Sequence, residues 1–81
     1  MPEVGSTVKV KASPAECARL TQMVEGWNWA SDEDAYCGQR GVVLRHEDEV
    51  GATIQMEIDG SEQEFVFAVL EPVVRPSGVA G

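Results

Sequence analysis

Asp59 and Gly60 separate two short segments in which apolar and polar residues alternate, and this arrangement constrains the fold more than any other feature. An Asp-Gly pair between alternating segments is the strongest short-range signal of a β-hairpin. We therefore predict that TIQMEI and SEQEFVFAVL form antiparallel strands. The apolar face of this hairpin is predicted to contain Ile54, Met56, Ile58, Phe65 and Phe67. The solvent face of the first strand is predicted to contain Thr53, Gln55 and Glu57.

A short helix is predicted after an N-terminal strand, which is indicated by the alternation of STVKVK. Ser13 is placed to cap the helix, Pro14 takes the favoured first helical position, and Glu16 completes a capping box. We expect the helix to end at Gly26. The stripe that it turns to the core is predicted to be Cys17, Leu20 and Val24.

Two further strands complete the predicted sheet. GVVLR begins one of them, and the charged sequence HEDEVG that follows is predicted to be a hairpin loop. EPVV is predicted to be the other strand. It is placed at an edge of the sheet because edge strands tolerate a proline such as Pro72 and central strands do not. A chain of 81 residues builds one core at most. Five short strands with one inserted α-helix predict a mostly β fold, a small and strongly bent barrel. We assign the domain to residues 4–74, a tail to 1–3, and a flexible tail or linker to 75–81.

The formal net charge of −8 limits the partners of this domain. A phosphate backbone is repelled by such a surface, which argues against nucleic acid, whereas the encounter with a basic peptide is accelerated. No apolar run approaches the ~20 residues needed to cross a membrane, and the first residues lack the pattern of a signal peptide. Two cysteines are too few for a disulfide scaffold. We expect a cytoplasmic domain that is part of a larger intracellular protein.

Groups that could perform catalysis are scarce in the sequence. The single histidine, His46, lies in the predicted charged loop, and we expect it to be solvated. Cys17 and Cys37 are expected to be small buried hydrophobic residues. The acidic run from residue 32 to residue 34 lacks the alternating ligands of a calcium loop, and GQRG matches no phosphate-binding fingerprint. We therefore predict no enzymatic activity, no cofactor and no metal.

The stretch EGWNWASDEDAYCG contains the predicted binding residues. Trp29 and Tyr36 are expected on an exposed groove. Trp27 is expected at the core or at the junction of helix and sheet, and also as a further ligand-binding ring beside this groove. Tryptophan and tyrosine provide a large contact area with a polar end, which is why binding hot spots use them. The neighbouring carboxylates are either a solvated loop or a counter-charge for a basic ligand. They are Asp32, Glu33 and Asp34.

The order of several motifs over residues 4–74 resembles the SH3-like repeat of the Mind bomb E3 ubiquitin ligases and of the plant ligase Keep on Going. These motifs are Gly5 to Val10, Leu20 to Val24, GWN at residues 26–28, CGQRGVV at residues 37–43, FVF at residues 65–67, and Leu70 to Val73. Cys37 replaces a usual leucine, Phe65 stands where a tryptophan is frequent, and a second tryptophan follows Asn28. The resemblance implies an SH3-like barrel that recognises short segments of substrate tails.

These observations predict a non-catalytic module for protein–protein interaction. An extended peptide with Lys or Arg is expected to lie on the aromatic groove, with its cations on the carboxylates. One alternative is a structural scaffold or oligomerisation domain in a multidomain protein, for example a cytoskeletal one. Trp29 would then contact other domains of the parent protein or a second copy. Another is a reader of methylated lysine, which needs three converging rings. A third is an enzyme that acts through Cys37 and His46.

Overall fold

The computed structural model describes residues 1–73 and shows a mostly β fold with one helix. Its regular elements, in chain order, are β1 Thr7–Val10, α1 Pro14–Gln22, β2 Arg40–His46, β3 Gly51–Met56, β4 Glu62–Val66 and β5 Leu70–Pro72. Two 3₁₀ helices, Ser31–Tyr36 and Phe67–Val69, lie in the connections. We call the first of them the acidic turn, because it contains Asp32, Glu33 and Asp34. The predicted tail at 75–81 lies outside the described residues.

All five strands belong to one antiparallel sheet in the order β4-β3-β2-β1-β5. The mostly β prediction is therefore confirmed, as is the edge position of the strand with Pro72, which pairs with Val8. The sheet is open, because β4 and β5 stand at opposite ends of this order. A five-stranded antiparallel sheet with one helix is thus established, and a closed barrel is not.

The helix begins where the sequence predicts and ends earlier. Ser13 Oγ accepts a hydrogen bond from the backbone N–H of Glu16 (3.2 Å), and Pro14 is the first helical residue. The last helical residue is Gln22 rather than one adjoining Gly26. Cys17 is fully buried as expected, and Thr21 is buried beside it. The sequence pattern missed Thr21 because its hydroxyl is polar, yet that hydroxyl is satisfied by donating to the carbonyl of Cys17 (2.8 Å).

The Asp59–Gly60 hairpin is confirmed, but the predicted alternation extends too far. β3 ends at Met56, and Ile58 is 60% exposed in the turn instead of facing the core. The turn closes on Met56, whose carbonyl accepts from the N–H of Gly60 (2.8 Å) and whose N–H donates to the carbonyl of Ser61 (2.8 Å). Gly60 has a φ of +72°, a conformation that glycine adopts without strain.

Thr53 and Phe67 also differ from the expected positions. Thr53 is 2% exposed, and its hydroxyl donates to Glu47, which explains how a residue predicted to be solvated is buried.

Phe65 is buried as predicted, whereas Phe67 follows β4 and is half-buried. The ring of Phe67 meets the edge of His46, with 5.2 Å between ring centroids. His46 is thus the last residue of β2 and not a member of the loop, and its Nε2 lies 2.7 Å from the carbonyl oxygen of Pro2.

The core lies between the sheet, the helix and the connection that follows the helix. Its fully buried members are Val8, Val10, Cys17, Val43, Ala52, Ile54, Met56, Phe65, Val66 and Val69. β2 and β3 approach closely at Gly41, where an added methyl group would lie 2.7 Å from the carbonyl oxygen of Gln55. No helix among residues 1–73 is both long enough and apolar enough to cross a lipid bilayer.

Candidate functional site

The segment between α1 and β2 contains every residue that the sequence indicates for binding. Its aromatic residues pack against the core of the domain. Its two tryptophans and its tyrosine are half-buried and contact the core cluster. The sequence predicts Trp29 and Tyr36 on an exposed groove, and the structure shows that one part of each side chain contacts the core while the rest is open to solvent.

Trp27 lies at the junction between the segment and the β2–β3 loop. Its indole Nε1–H donates to Asp48 Oδ2 (3.2 Å). Its ring covers Gly51, the first residue of β3, so closely that a methyl group at that position would overlap the ring. Asp48 Oδ1 also accepts from the backbone N–H groups of Val50 (2.8 Å) and Gly51 (2.9 Å). Trp27 therefore fastens the segment to a loop that Asp48 shapes.

Trp29 lies against Phe65 of β4. The two ring centroids are 5.9 Å apart and the planes are inclined by 38°, a tilted packing that aromatic pairs commonly adopt. The indole Nε1–H of Trp29 donates to Asp34 Oδ1 (2.7 Å). Asp34 therefore has a structural contact in addition to its charge, and the acidic turn is held against the indole.

Tyr36 contacts the β3–β4 hairpin through both its ring and its hydroxyl. The ring is edge-on to Phe65, with 6.5 Å between centroids. The hydroxyl donates to Asp59 Oδ2 (2.7 Å), accepts from Gln63 Nε2 (3.2 Å) and lies 3.1 Å from Ser61 Oγ. Hydrogen bonds from the side chain and backbone of Ser61, and then from Tyr36, lower the pKa of Asp59. Sequence reasoning missed these three partners, although the Asp-Gly-Ser turn indicates where they lie.

The carboxylates of the acidic turn repel one another and a carboxylate of β4. Glu33 is half-buried, and its Oε1 accepts from the backbone N–H of Ala30 (2.8 Å). Burial raises the pKa of Glu33, and the negative charges of Asp32, Asp34 and Glu64 raise it further. Glu64 is a neighbour that the sequence did not indicate, since it lies on the far side of the hairpin. We call Asp32, Glu33, Asp34 and Glu64 the acidic surface.

No member of the acidic surface forms an ion pair within residues 1–73, and three of the cations there pair with other carboxylates. Lys11 pairs with Glu71 (3.3 Å), and Arg19 pairs with Glu16 (3.6 Å). Arg45 is shared by Glu47 (2.9 Å) and Glu62 (3.4 Å). Within the part of the chain that the structure describes, no ion pair therefore offsets the repulsion among these four carboxylates.

The residues considered for catalysis do not converge on a site. His46 contacts Pro2 and Phe67, and neither cysteine is among its contacts. Cys17 and Cys37 contact each other, with sulfurs 3.8 Å apart. Across residues 1–73, no three or more His, Cys, Asp or Glu side chains are grouped so as to hold a metal ion. The absence of enzymatic activity stays a prediction.

Two cavities lie elsewhere on the molecule. One, of about 420 Å³, is lined by Gly5, Thr7, Arg40, Glu57 and Val73. The other, of about 270 Å³, is lined by Met1, Pro2, Val8, Phe67, Leu70 and Pro72. None of the sequence-predicted binding residues lines either cavity. Any ligand of those residues would therefore lie outside these two cavities.

A scan against known protein families finds no match, and a search of curated proteins finds no related sequence. The resemblance to the Mind bomb repeat consequently stays a prediction.

Proposed function

We propose that this domain is a non-catalytic, SH3-like interaction module that binds a short basic segment of another protein. The observation that carries the proposal is the acidic surface, where the acidic turn and Glu64 of β4 are brought together without a described cation. A Lys or Arg side chain placed among these carboxylates would replace repulsion by attraction. The resemblance to the Mind bomb repeat suggests that the parent protein is an intracellular ubiquitin ligase.

The half-buried rings provide the apolar part of the proposed contact. Trp29 and Tyr36 use their polar ends within the chain, on Asp34 and Asp59 respectively, so a ligand meets ring surface rather than a free N–H or O–H. Ring surface binds the aliphatic stems and cationic heads of Lys and Arg, by about 0.5–1 kcal/mol at an exposed site. Trp27 is tied to the β2–β3 loop and serves to hold the segment in place.

The affinity of a single module is expected to be low. Pairs of exposed charges contribute about 0–1 kcal/mol each. A dissociation constant of roughly micromolar order corresponds to about 8 kcal/mol, which needs several cations and ring contacts together. Tandem copies of the module would raise the overall affinity through effective concentration.

A matched pair of double variants tests the proposal. Asp32→Asn/Glu64→Gln removes two charges from the acidic surface, and Glu25→Gln/Glu49→Gln removes two exposed charges elsewhere. Both variants change the formal net charge from −8 to −6, so long-range steering is altered equally. Affinity is measured by titrating each protein with a fluorescent Lys/Arg-rich peptide in 0.05 M and about 0.5 M salt.

We expect the variant on the acidic surface to bind the peptide about tenfold more weakly at low salt, and the control to bind within a factor of about two of the wild type. Equal loss in both variants would show that only net charge attracts the peptide. Equal affinity in all three proteins would remove the acidic surface as the binding site.

A structural role in a scaffold or oligomer is the second candidate. It is favoured by the fact that the three aromatic polar groups of the connecting segment already have partners inside the chain. Sedimentation equilibrium distinguishes the two functions. A stable dimer with no affinity for basic peptides supports the structural role, and a monomer that binds them supports the interaction module.

A further inference from the structure

Cys17 and Cys37 form a pair of thiols that the interaction proposal does not use. They are twenty positions apart in the sequence, and their sulfur atoms lie 3.8 Å from each other. Both are free thiols; Cys17 is buried and Cys37 is half-buried. No sequence pattern indicates that they are close, because the contact depends on how the segment after α1 returns to the sheet.

Both cysteines are held at the end of β1 by separate hydrogen bonds. Cys17 Sγ donates to the carbonyl of Lys11 (3.5 Å). Next to Cys37, the N–H of Gly38 donates to the carbonyl of Val10 (2.9 Å), and the N–H of Val10 donates to the carbonyl of Gln39 (2.9 Å). The backbone on either side of the pair is therefore fixed to the same strand, and the proximity of the sulfurs does not depend on one mobile side chain.

We propose that Cys17 and Cys37 are a modification site at which a low-molecular-weight disulfide, of the glutathione disulfide class, produces an intramolecular disulfide. A disulfide bond is about 2.05 Å long, so the sulfurs must approach each other by about 2 Å. Because the backbone beside Cys37 is held to β1, this movement falls to the half-buried side chain of Cys37.

The reaction has two exchange steps. The thiolate of Cys37, the more accessible residue, attacks one sulfur of the reagent and displaces a thiolate, which leaves a mixed disulfide on Cys37. Cys17 then loses its proton to solvent and attacks the sulfur of Cys37, which releases the second thiol. In total, the two protein thiols are oxidised to one disulfide and the reagent is reduced to two thiols.

The rate of this exchange is expected to be low at neutral pH. Burial raises the pKa of Cys17 to about 12, and the neighbouring Cys37 adds to this effect. Burial also raises the pKa of Cys37, assisted by the charges of Asp34 and Glu33. The thiolate is the attacking species, so the reaction accelerates as the pH rises. The product would fasten α1 to the segment that contains Trp29 and Tyr36.

Measuring disulfide formation in the folded and unfolded chain tests the proposal. The full chain is equilibrated with reduced and oxidised glutathione in buffer and in concentrated urea, quenched with acid and examined by intact mass and non-reducing peptide mapping. We expect the Cys17–Cys37 disulfide to form in buffer. The equilibrium constant for its formation should be on the order of a hundredfold larger in buffer than in urea, because the folded chain already closes this loop and the unfolded chain does not. An equal or smaller constant in buffer would overturn the proposal.

Variants identify the order of attack. Cys17→Ala should accumulate glutathione on Cys37, because the second thiol is missing, whereas Cys37→Ser should react slowly. If the wild-type protein keeps glutathione on Cys37 as its stable product in buffer, the proposal is wrong. The wild-type comparison decides the matter even where a variant fails to fold.

Discussion

Trp27 and Trp29 are two residues apart, are both half-buried, and both donate the indole N–H to an aspartate, yet they meet different surroundings. Trp27 covers a glycine and bonds to Asp48 in the β2–β3 loop. Trp29 packs on an aromatic ring and bonds to Asp34, a neighbour in its own segment.

The difference separates a structural contact from a candidate binding surface. Around Trp27, Asp48 accepts three hydrogen bonds, since it also bonds to two backbone N–H groups. Around Trp29, the carboxylates of the acidic surface repel one another and raise the pKa of Glu33. The indole of Trp27 thus fastens the segment to the β2–β3 loop. The indole of Trp29 lies beside the surface at which we propose that a cation binds. Four experiments examine this distinction, in order of decreasing expected effect.

Gly51→Ala should have the largest effect on stability. The added methyl group would overlap the ring of Trp27 and lie 2.9 Å from the carbonyl oxygen of Phe65. We expect a loss of about 2–4 kcal/mol in the free energy of unfolding, measured by urea denaturation, because the added methyl group would meet a backbone carbonyl as well as the ring. Glu49→Ala in the preceding loop is the control. A loss below about 0.5 kcal/mol for Gly51→Ala would contradict the close packing of Trp27.

Alanine at each tryptophan should separate stability from binding. Trp27→Ala and Trp29→Ala should each cost about 2 kcal/mol of unfolding free energy, roughly half the value for a fully buried tryptophan. Only Trp29→Ala should also weaken the binding of a Lys/Arg-rich peptide, measured under conditions in which both variants are folded. Equal weakening by both variants would erase the proposed distinction.

Removing the two aspartate acceptors should have a smaller and unequal effect. Asp48→Ala leaves the N–H groups of Val50 and Gly51 without their acceptor, as well as the indole of Trp27, and should cost about 1–2 kcal/mol. Asp34→Ala removes one hydrogen bond and one repulsive charge, and should cost about 0.5 kcal/mol or less. The unfolding free energies are compared at pH 7. A larger cost at Asp34 would contradict our description.

Glu33→Gln should have the smallest effect, and the effect depends on pH. The folded-state pKa of Glu33 is raised, so its stabilising contribution is present below the unfolded value near 4.5 and is lost as the pH rises through the folded value. The glutamine side chain is neutral and keeps an oxygen that can accept the hydrogen bond from Ala30. We therefore expect the unfolding free energy of the variant to exceed that of the wild type by a few tenths of a kcal/mol at pH 7. The gain should vanish near pH 3 in urea denaturation, with Glu49→Gln as the control. A gain that persists in acid would have another cause.

Local chemistry explains which elements the sequence could predict. Ser13 and Pro14 define the start of the helix, and Asp59 with Gly60 defines the hairpin, because each signal acts within a few neighbouring residues. Alternation predicts the core of β3 but not its end, so the sequence predicts Ile58 on the core face although it is exposed in the turn. The end of β2 is likewise not marked in the sequence, so His46 is predicted in the loop although it is the last residue of the strand.

Long-range contacts explain what the sequence could not predict about the candidate site. The residue types were identified within one stretch, but the contact of Trp29 with Phe65 and the approach of Glu64 depend on the path of the chain across the sheet. The proximity of Cys17 and Cys37 has the same origin. The sequence predicts Trp29 and Tyr36 on an exposed groove, but it does not show that both rings also contact the core.

An NMR titration of backbone amides with a Lys/Arg-rich peptide tests the interaction proposal most directly. We predict that the chemical-shift changes concentrate in the acidic turn, residues 31–36, and in β4 near Glu64, and that they diminish in about 0.5 M salt. Changes confined to other surfaces, or no changes at millimolar peptide, would contradict the assignment of this surface to a basic partner.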